Sequence, residues 1–184
     1  MNDTAMLVIV TFDCDLMEHF DVRSWNEFMR KLVQRGMTPI AWSKGKKPTP
    51  LGVSFDFRGW RCECRRMEGI DLTFCDLGEA DFTGTNLQGA KIGPCPEACF
   101  RDAWLELACF RGDMSGADFT GAGLSEADFQ HACYFAGKPP IGLPAEVLAT
   151  CEAVPDATDQ PDGWPPMIVE QTLRVRASVH EAPW

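Results

Sequence analysis

Two groups of residues in this 184-residue chain have types and spacing suited to chemistry. The first is Asp13-Cys14-Asp15, with Glu18 and His19 close behind, following the apolar run Leu7-Val8-Ile9-Val10-Thr11-Phe12. Carboxylates and an imidazole gathered in one loop can bind a metal ion. The second is Cys62-x-Cys64 with Cys95-x-x-x-Cys99, four thiols of the kind that hold zinc. Zinc pairs usually carry two to four intervening residues, and Cys62 falls on an apolar position of a repeat described below, where a thiol packs as a small hydrophobe. His19, His131 and His180 belong to no catalytic constellation, and the chain has neither a phosphate-binding loop nor a nucleophile elbow. The expectation is a protein without catalytic residues, metal or cofactor.

An apolar strand followed by Asp-x-Asp resembles the nucleophile motif of haloacid-dehalogenase-type phosphatases. The resemblance implies Asp13 as nucleophile, Asp15 as acid and base, and Mg²⁺ joining them. Met17 stands where that family has Thr or Val. The remaining chain also leaves no room for that fold, because a different pattern occupies its middle. A metal-dependent, phosphatase-like site at Asp13 and Asp15 is therefore the least favoured reading.

The pattern runs from about Ile70 to Tyr134. Ala117-Asp118-Phe119, Ala127-Asp128-Phe129, Cys75-Asp76-Leu77, Ala80-Asp81-Phe82 and Thr85-Asn86-Leu87 recur every five residues: small, polar, large apolar, then two polar or small positions. A period of five fits neither a helix nor a plain strand. The small and large residues are two apart and can face the same way, with the polar residue between them facing outward. The last two positions then turn the chain, so the whole winds around its own apolar interior.

These units resemble the pentapeptide-repeat family, whose motif is Ala-(Asp/Asn)-Leu-x-x, over roughly residues 55–136. The resemblance implies an all-β solenoid: a right-handed quadrilateral β-helix in which four units make one coil. Counting back to Phe57 and forward to Tyr134 gives four coils, of which the first is irregular, because Phe55, Trp60, Arg65 and Ile70 occupy its small positions. The expectation is thus three to four coils. With a three-residue insertion after Ile92, the predicted stacks are Phe57-Leu77-Phe100-Phe119, Cys62-Phe82-Leu105-Leu124, Met67-Leu87-Phe110-Phe129 and Leu72-Ile92-Met114-Tyr134.

Residues 1–54 read as a small α/β cap. Met6–Phe12 is a strand, Ser24 with Glu27 forms a capping box, and Trp25, Phe28, Met29, Leu32 and Val33 follow at helical spacing to Gly36. Pro39–Trp42 is a candidate strand. The apolar helix face needs a neighbour, and the open end of the solenoid offers one. Residues 137–184 read as an irregular tail, with a short helix beginning at Pro144 and a late strand within Met167–Val175 set beside the first strand.

The formal charge of −10 is concentrated on the repeat, where residues 55–136 hold 7 basic and 14 acidic side chains. Such a surface repels bare nucleic acid and favours basic partners. Nine scattered cysteines suit a reducing cytoplasm, no run reaches the length of a membrane span, and no leader is expected at the N-terminus.

The leading reading is a non-catalytic protein-interaction or scaffold protein. It presents an acidic surface through Asp76, Asp81, Asp113, Asp118 and Asp128 to a protein partner, with a homodimer through stacked solenoid ends as a further expectation. The alternative comes from the resemblance, since some pentapeptide-repeat proteins protect DNA gyrase by mimicking duplex DNA. That makes a DNA-mimicking topoisomerase regulator the second reading.

Overall fold

The computed structural model describes residues 8–11, 21–39, 52–62, 65–155 and 171–174. Its elements in chain order are β1 (Val8–Thr11), α1 (Val22–Gln34), β2 (Thr38–Pro39), β3 (Gly52–Asp56), β4 (Asp71–Leu72), β5 (Cys75–Asp76), β6 (Lys91–Ile92), β7 (Cys109–Asp113), β8 (Asp128–Phe135), α2 (Ala145–Leu148), β9 (Glu152–Val154) and β10 (Gln171–Arg174). All their strand pairings are parallel. Between strands the chain bends at four corners per coil, and single bridges link each straight segment to the coils on either side.

The result is the expected β-solenoid, wound in about five coils instead of three to four. Each coil donates backbone N–H groups to the next, as in Cys62 N to Asp81 O (2.7 Å), Phe82 N to Cys99 O (2.8 Å) and Phe100 N to Asp118 O (2.7 Å). The main chain is thereby satisfied although each strand is only a few residues long. The large residues fill the shaft: Phe82, Leu87, Ile92, Phe100, Leu105 and Phe119 have no exposed surface.

The inward stacks differ from expectation after the second coil. The first face stacks Phe57, Leu77, Cys95, Met114 and Tyr134; the second, Cys62, Phe82, Phe100 and Phe119. The third stacks Met67, Leu87, Leu105 and Leu124; the fourth, Leu72, Ile92, Phe110 and Phe129. Cys95, not Phe100, follows Leu77. No three-residue insertion follows Ile92; the corner there is shortened, and a normal five-residue unit from Cys95 to Phe100 comes next. Gly93 makes the shortcut possible, because a Cβ there would lie 2.7 Å from the carbonyl oxygens of Leu72 and Cys75. The same corner is short again one coil later, between Phe110 and Met114, where Gly112 (φ 85°) sits against the Pro94 ring.

This register creates two columns of rings. Phe82, Phe100 and Phe119 lie 5.1 Å apart and nearly parallel, and Phe110 stacks on Phe129 at 4.6 Å. Across the shaft the columns meet edge to face, Phe110 against Phe119 at 5.3 Å. Both arrangements are favourable for aromatic quadrupoles.

The first coil is regular, bridged to the second at Arg61–Asp81 and Arg66–Asn86. Its bulky residues fit because no coil lies beneath them. Phe55, Trp60 and Ile70 are buried, while Arg65 is exposed. The space below is closed by α1, whose Trp25 meets Phe55 and Phe57 edge-on at 5.5 Å. Trp25 Nε1 donates to Asp71 O (2.7 Å), Asn26 Nδ2 donates to Gly69 O (2.8 Å), and Asn26 Oδ1 accepts from Asp71 N (2.8 Å). These side chains occupy the backbone groups that a preceding coil would have paired. On the first face β1 does the same, pairing β3 from below, with β10 on its far side as expected.

The helix starts earlier than its sequence suggested. Asp21 is the N-cap, accepting from Ser24 N (3.0 Å) and Ser24 Oγ (2.6 Å), and Glu27 pairs with Arg30 instead of closing a capping box.

Past Tyr134 the winding continues through Ile141, bridged to Asp118, and returns in β9, paired with β8. Between them α2 replaces straight segments, and Leu143, Val147 and Cys151 pack on the core. At this end the cover is partial: Leu143, Val147 and Cys151 are half-buried, and Ile141 is exposed. None of the described helices is long and apolar enough to cross a membrane.

Two outcomes test this packing. Phe100→Ala removes the middle ring of the three-ring column and should cost about 3–5 kcal/mol of unfolding free energy in denaturant titrations. Asn26→Ala removes two of the bonds that hold α1 to the first coil, those to Gly69 O and Asp71 N, and should cost about 1–2 kcal/mol in the same titrations.

Candidate functional site

The stacking that aligns inward residues also aligns outward ones. The outward column of the first face reads Asp56, Asp76, Pro94, Asp113, Cys133. The second reads Arg61, Asp81, Cys99, Asp118, Ile141, and the third Arg66, Asn86, Trp104, Gly123. The fourth reads Asp71, Lys91, Cys109, Asp128. The five aspartates expected to form a surface thus divide: Asp76 and Asp113 share one face, Asp81 and Asp118 the next, and Asp128 stands apart on the fourth.

Each of the five also holds a corner. Its Oδ1 accepts the backbone N–H two residues on: Gly78 for Asp76 (3.1 Å), Thr83 for Asp81 (3.0 Å), and Ser115, Thr120 and Gln130 for Asp113, Asp118 and Asp128 (2.9 Å each). Asn86 does the same for Gln88 (3.1 Å). This is the Asx turn that makes Asp and Asn good corner residues.

The faces differ in charge balance. On the second face Arg101 Nε lies 2.5 Å from Asp118. Burial pushes the Asp118 carboxyl up, but hydrogen bonds from Thr120 and Arg101 outweigh it and leave the group below its ordinary range. On the first face Arg58 pairs with Asp56 (2.8 Å), and its hydrogen bond holds that carboxyl low. Asp76 is raised, chiefly by burial and further by the charges of Asp56 and Asp113, against the pull of Gly78 N–H and Arg58. Among the described residues no ion pair forms at Asp76 or Asp113.

The cysteine group is not brought together. Cys62 and Cys95 are buried in different stacks, Cys99 points outward on the second face, and Cys64 lies outside the described residues. Burial raises the Cys62 and Cys95 thiols and takes Cys133 to about 11, so these sulfurs stay protonated packing groups at neutral pH. His131 is exposed on β8. Asp13, Asp15, Glu18, His19 and His180 lie outside the described residues. Among those described, no cluster of His, Cys, Asp and Glu could hold a metal ion.

Sequence reasoning passed over Trp104 and Leu107, which are both largely exposed. The signal was available: Trp104 occupies the outward slot that Asp or Asn fills in neighbouring units.

Among solved structures, similarity is found to HetL, a pentapeptide repeat protein involved in heterocyst differentiation regulation from the cyanobacterium Nostoc sp. strain PCC 7120. Identity is 19% over 64% of this chain and 45% of that one, with a TM-score of 0.41. The chain thus spans less than half of HetL. A pentapeptide repeat protein from the cyanobacterium Cyanothece 51142 is 17% identical over 74% of this chain and 84% of its own, with a TM-score of 0.40. No curated protein matches the chain. Residues 66–93 and 113–133 match the family of Pentapeptide repeats (8 copies), and they carry the aligned corners and stacks described above. This chain carries pentapeptide repeats over those residues.

Proposed function

We propose that this protein is a non-catalytic interaction and scaffold protein whose acidic β-helix surface, with Asp76, Asp81, Asp113, Asp118 and Asp128 at its corners, binds a basic segment of a protein partner. The observation that carries this reading is the first-face column. Asp56, Asp76 and Asp113 share this column, with Pro94 between the last two; among the described residues only Asp56 of the three is ion-paired, and the charges of Asp56 and Asp113 add to the burial that raises the Asp76 carboxyl. Concentrating like charge on one rigid wall costs stability, and an incoming cation relieves it.

The duplex-mimic reading has less behind it. Five coils at about 4.8 Å each span roughly 24 Å, a short stretch beside a duplex. The acids also lie on three faces, not in two facing rows. A gyrase supercoiling assay separates the readings, with no effect at micromolar protein expected.

The test of the main reading uses Asp→Asn changes, which keep the corner bond, as Asn86 shows, and remove the charge. The variant Asp76→Asn/Asp113→Asn should fold normally and lose most retention of partners from native extract at low salt. Wild-type retention should fall steeply as salt rises. Equal retention by variant and wild type overturns the reading.

Asp76 also has a pH signature. Its folded carboxyl holds a proton more tightly than the unfolded chain does, so its contribution to stability falls as pH rises from the ordinary carboxylate range through the raised folded value. Asp76→Asn should therefore be at least as stable as wild type at neutral pH, with the difference shrinking in acid. Paired thermal melts across pH 3–7 check this, the window following from the ordinary carboxylate range of about 4 and its upward shift.

A further inference from the structure

The third face carries a feature that folding does not require. Trp104 stands in an outward slot whose neighbours along the column are Asn86 and Gly123, and it is 56% exposed. Its coil is held without the indole, through Trp104 N to Thr85 O (3.0 Å) and Leu105 N to Gly123 O (2.8 Å). At the next corner Leu107 is 62% exposed and adopts φ 60°. The first two coils have Gly69 and Gly89 there, at φ 67° and 66°, and the fourth has Glu126. A leucine in left-handed backbone is strained, and an exposed one recovers nothing by burial. An exposed tryptophan and an exposed leucine three residues apart on one coil, each where the neighbouring coils place a polar residue or glycine, mark a surface kept for contact.

The surroundings say what kind of contact. Gly123 leaves one side of the indole without a neighbouring side chain, and the Glu106 carboxylate leans over that glycine; a Cβ there would lie 2.5 Å from Glu106 Oε1. Asp102 and Glu126 stand at the flanking corners of the third and fourth coils. Of the cations nearby, Arg101 is engaged by Asp118, and Arg66 stands two coils away at the head of the column. An apolar pair inside a negative rim on a chain of net charge −10 repels a second copy and attracts a cationic surface. Tryptophan is also the aromatic face that best accepts a cation.

Building on the interaction reading above, we infer that Trp104 and Leu107 are the anchor of the docking site. The partner is a protein segment that places an apolar side chain against this pair and Lys or Arg residues around it. The acidic columns steer the approach, and the Trp104–Leu107 pair holds the partner once docked.

Three baits decide this: wild type, Trp104→Asn/Leu107→Gly, and Asp76→Asn/Asp113→Asn. The first double change substitutes the residue types found at Asn86 and Gly89, so the repeat is preserved. Proteins that wild type retains from native extract are purified and titrated against each bait. The expected result is a partner with a basic docking surface whose Kd rises about ten-fold or more with Trp104→Asn/Leu107→Gly, the scale of a hot spot. The melting temperature of Leu107→Gly alone should be unchanged or higher.

The inference is overturned by Kd values within about two-fold of wild type, by identical retained sets, or by a partner lacking a basic surface. It is equally overturned if sedimentation velocity shows a wild-type dimer that Trp104→Asn/Leu107→Gly dissociates, since the occupant is then a second copy. Loss of binding only in Asp76→Asn/Asp113→Asn leaves the broader reading standing and removes this one. A wild type that retains nothing removes both.

Discussion

The rise of one coil matches the thickness of a stacked aromatic ring, and the rest of the molecule follows from that match. Phe82, Phe100 and Phe119 repeat at 5.1 Å, and Phe110 and Phe129 at 4.6 Å, close to the roughly 4.8 Å between hydrogen-bonded strands. Backbone pairing and ring stacking therefore ask for the same geometry. The alanines two residues before each ring leave the shaft narrow enough for rings from opposite faces to touch. A registry this strict inside imposes one outside, so residues distant in sequence become neighbours along a face.

That coupling explains why the fold was easier to read than the surface. The five-residue period, the parallel coils and the need for an N-terminal cap followed from the spacing of Phe, Leu and Ala. The stacks were legible through Ile92 and lost at Cys95, because a thiol does not announce itself as a shaft residue beside Phe and Leu. Its burial shows that it is one. A one-face error there propagated through every later coil. The same difficulty hid the fifth coil: Ile141, α2 and β9 complete it without the repeated triplet, using a helix where straight segments stood before.

In the sequence the first coil looks irregular because of Arg65, which the structure leaves exposed, and because Phe55, Trp60 and Ile70 are too large for the middle of the shaft. They are suited to its end, where α1 and not another coil is the neighbour. Local signals were ambiguous in the same region. Asp21 and Ser24 are both good caps, and the choice between them was made by a hydroxyl that bonds back to the aspartate rather than to the helix. At the candidate site, the outward position of the aspartates was plain from sequence. Their division among three faces was not, since it depends on the register that Cys95 sets.

The two shortened corners have a consequence for how such a chain can grow. They sit one above the other, Gly112 against the Pro94 ring, while the same corner keeps the ordinary five-residue spacing at Leu72–Leu77 and Phe129–Tyr134. A whole winding inserted away from this seam, with small residues in its inward slots, would extend the prism and leave the fitted bends together. Between the third and fourth coils, the same insertion would part the glycine from its proline and leave two mismatched bends facing ordinary ones. A prism of this kind therefore lengthens more readily away from the seam than through it.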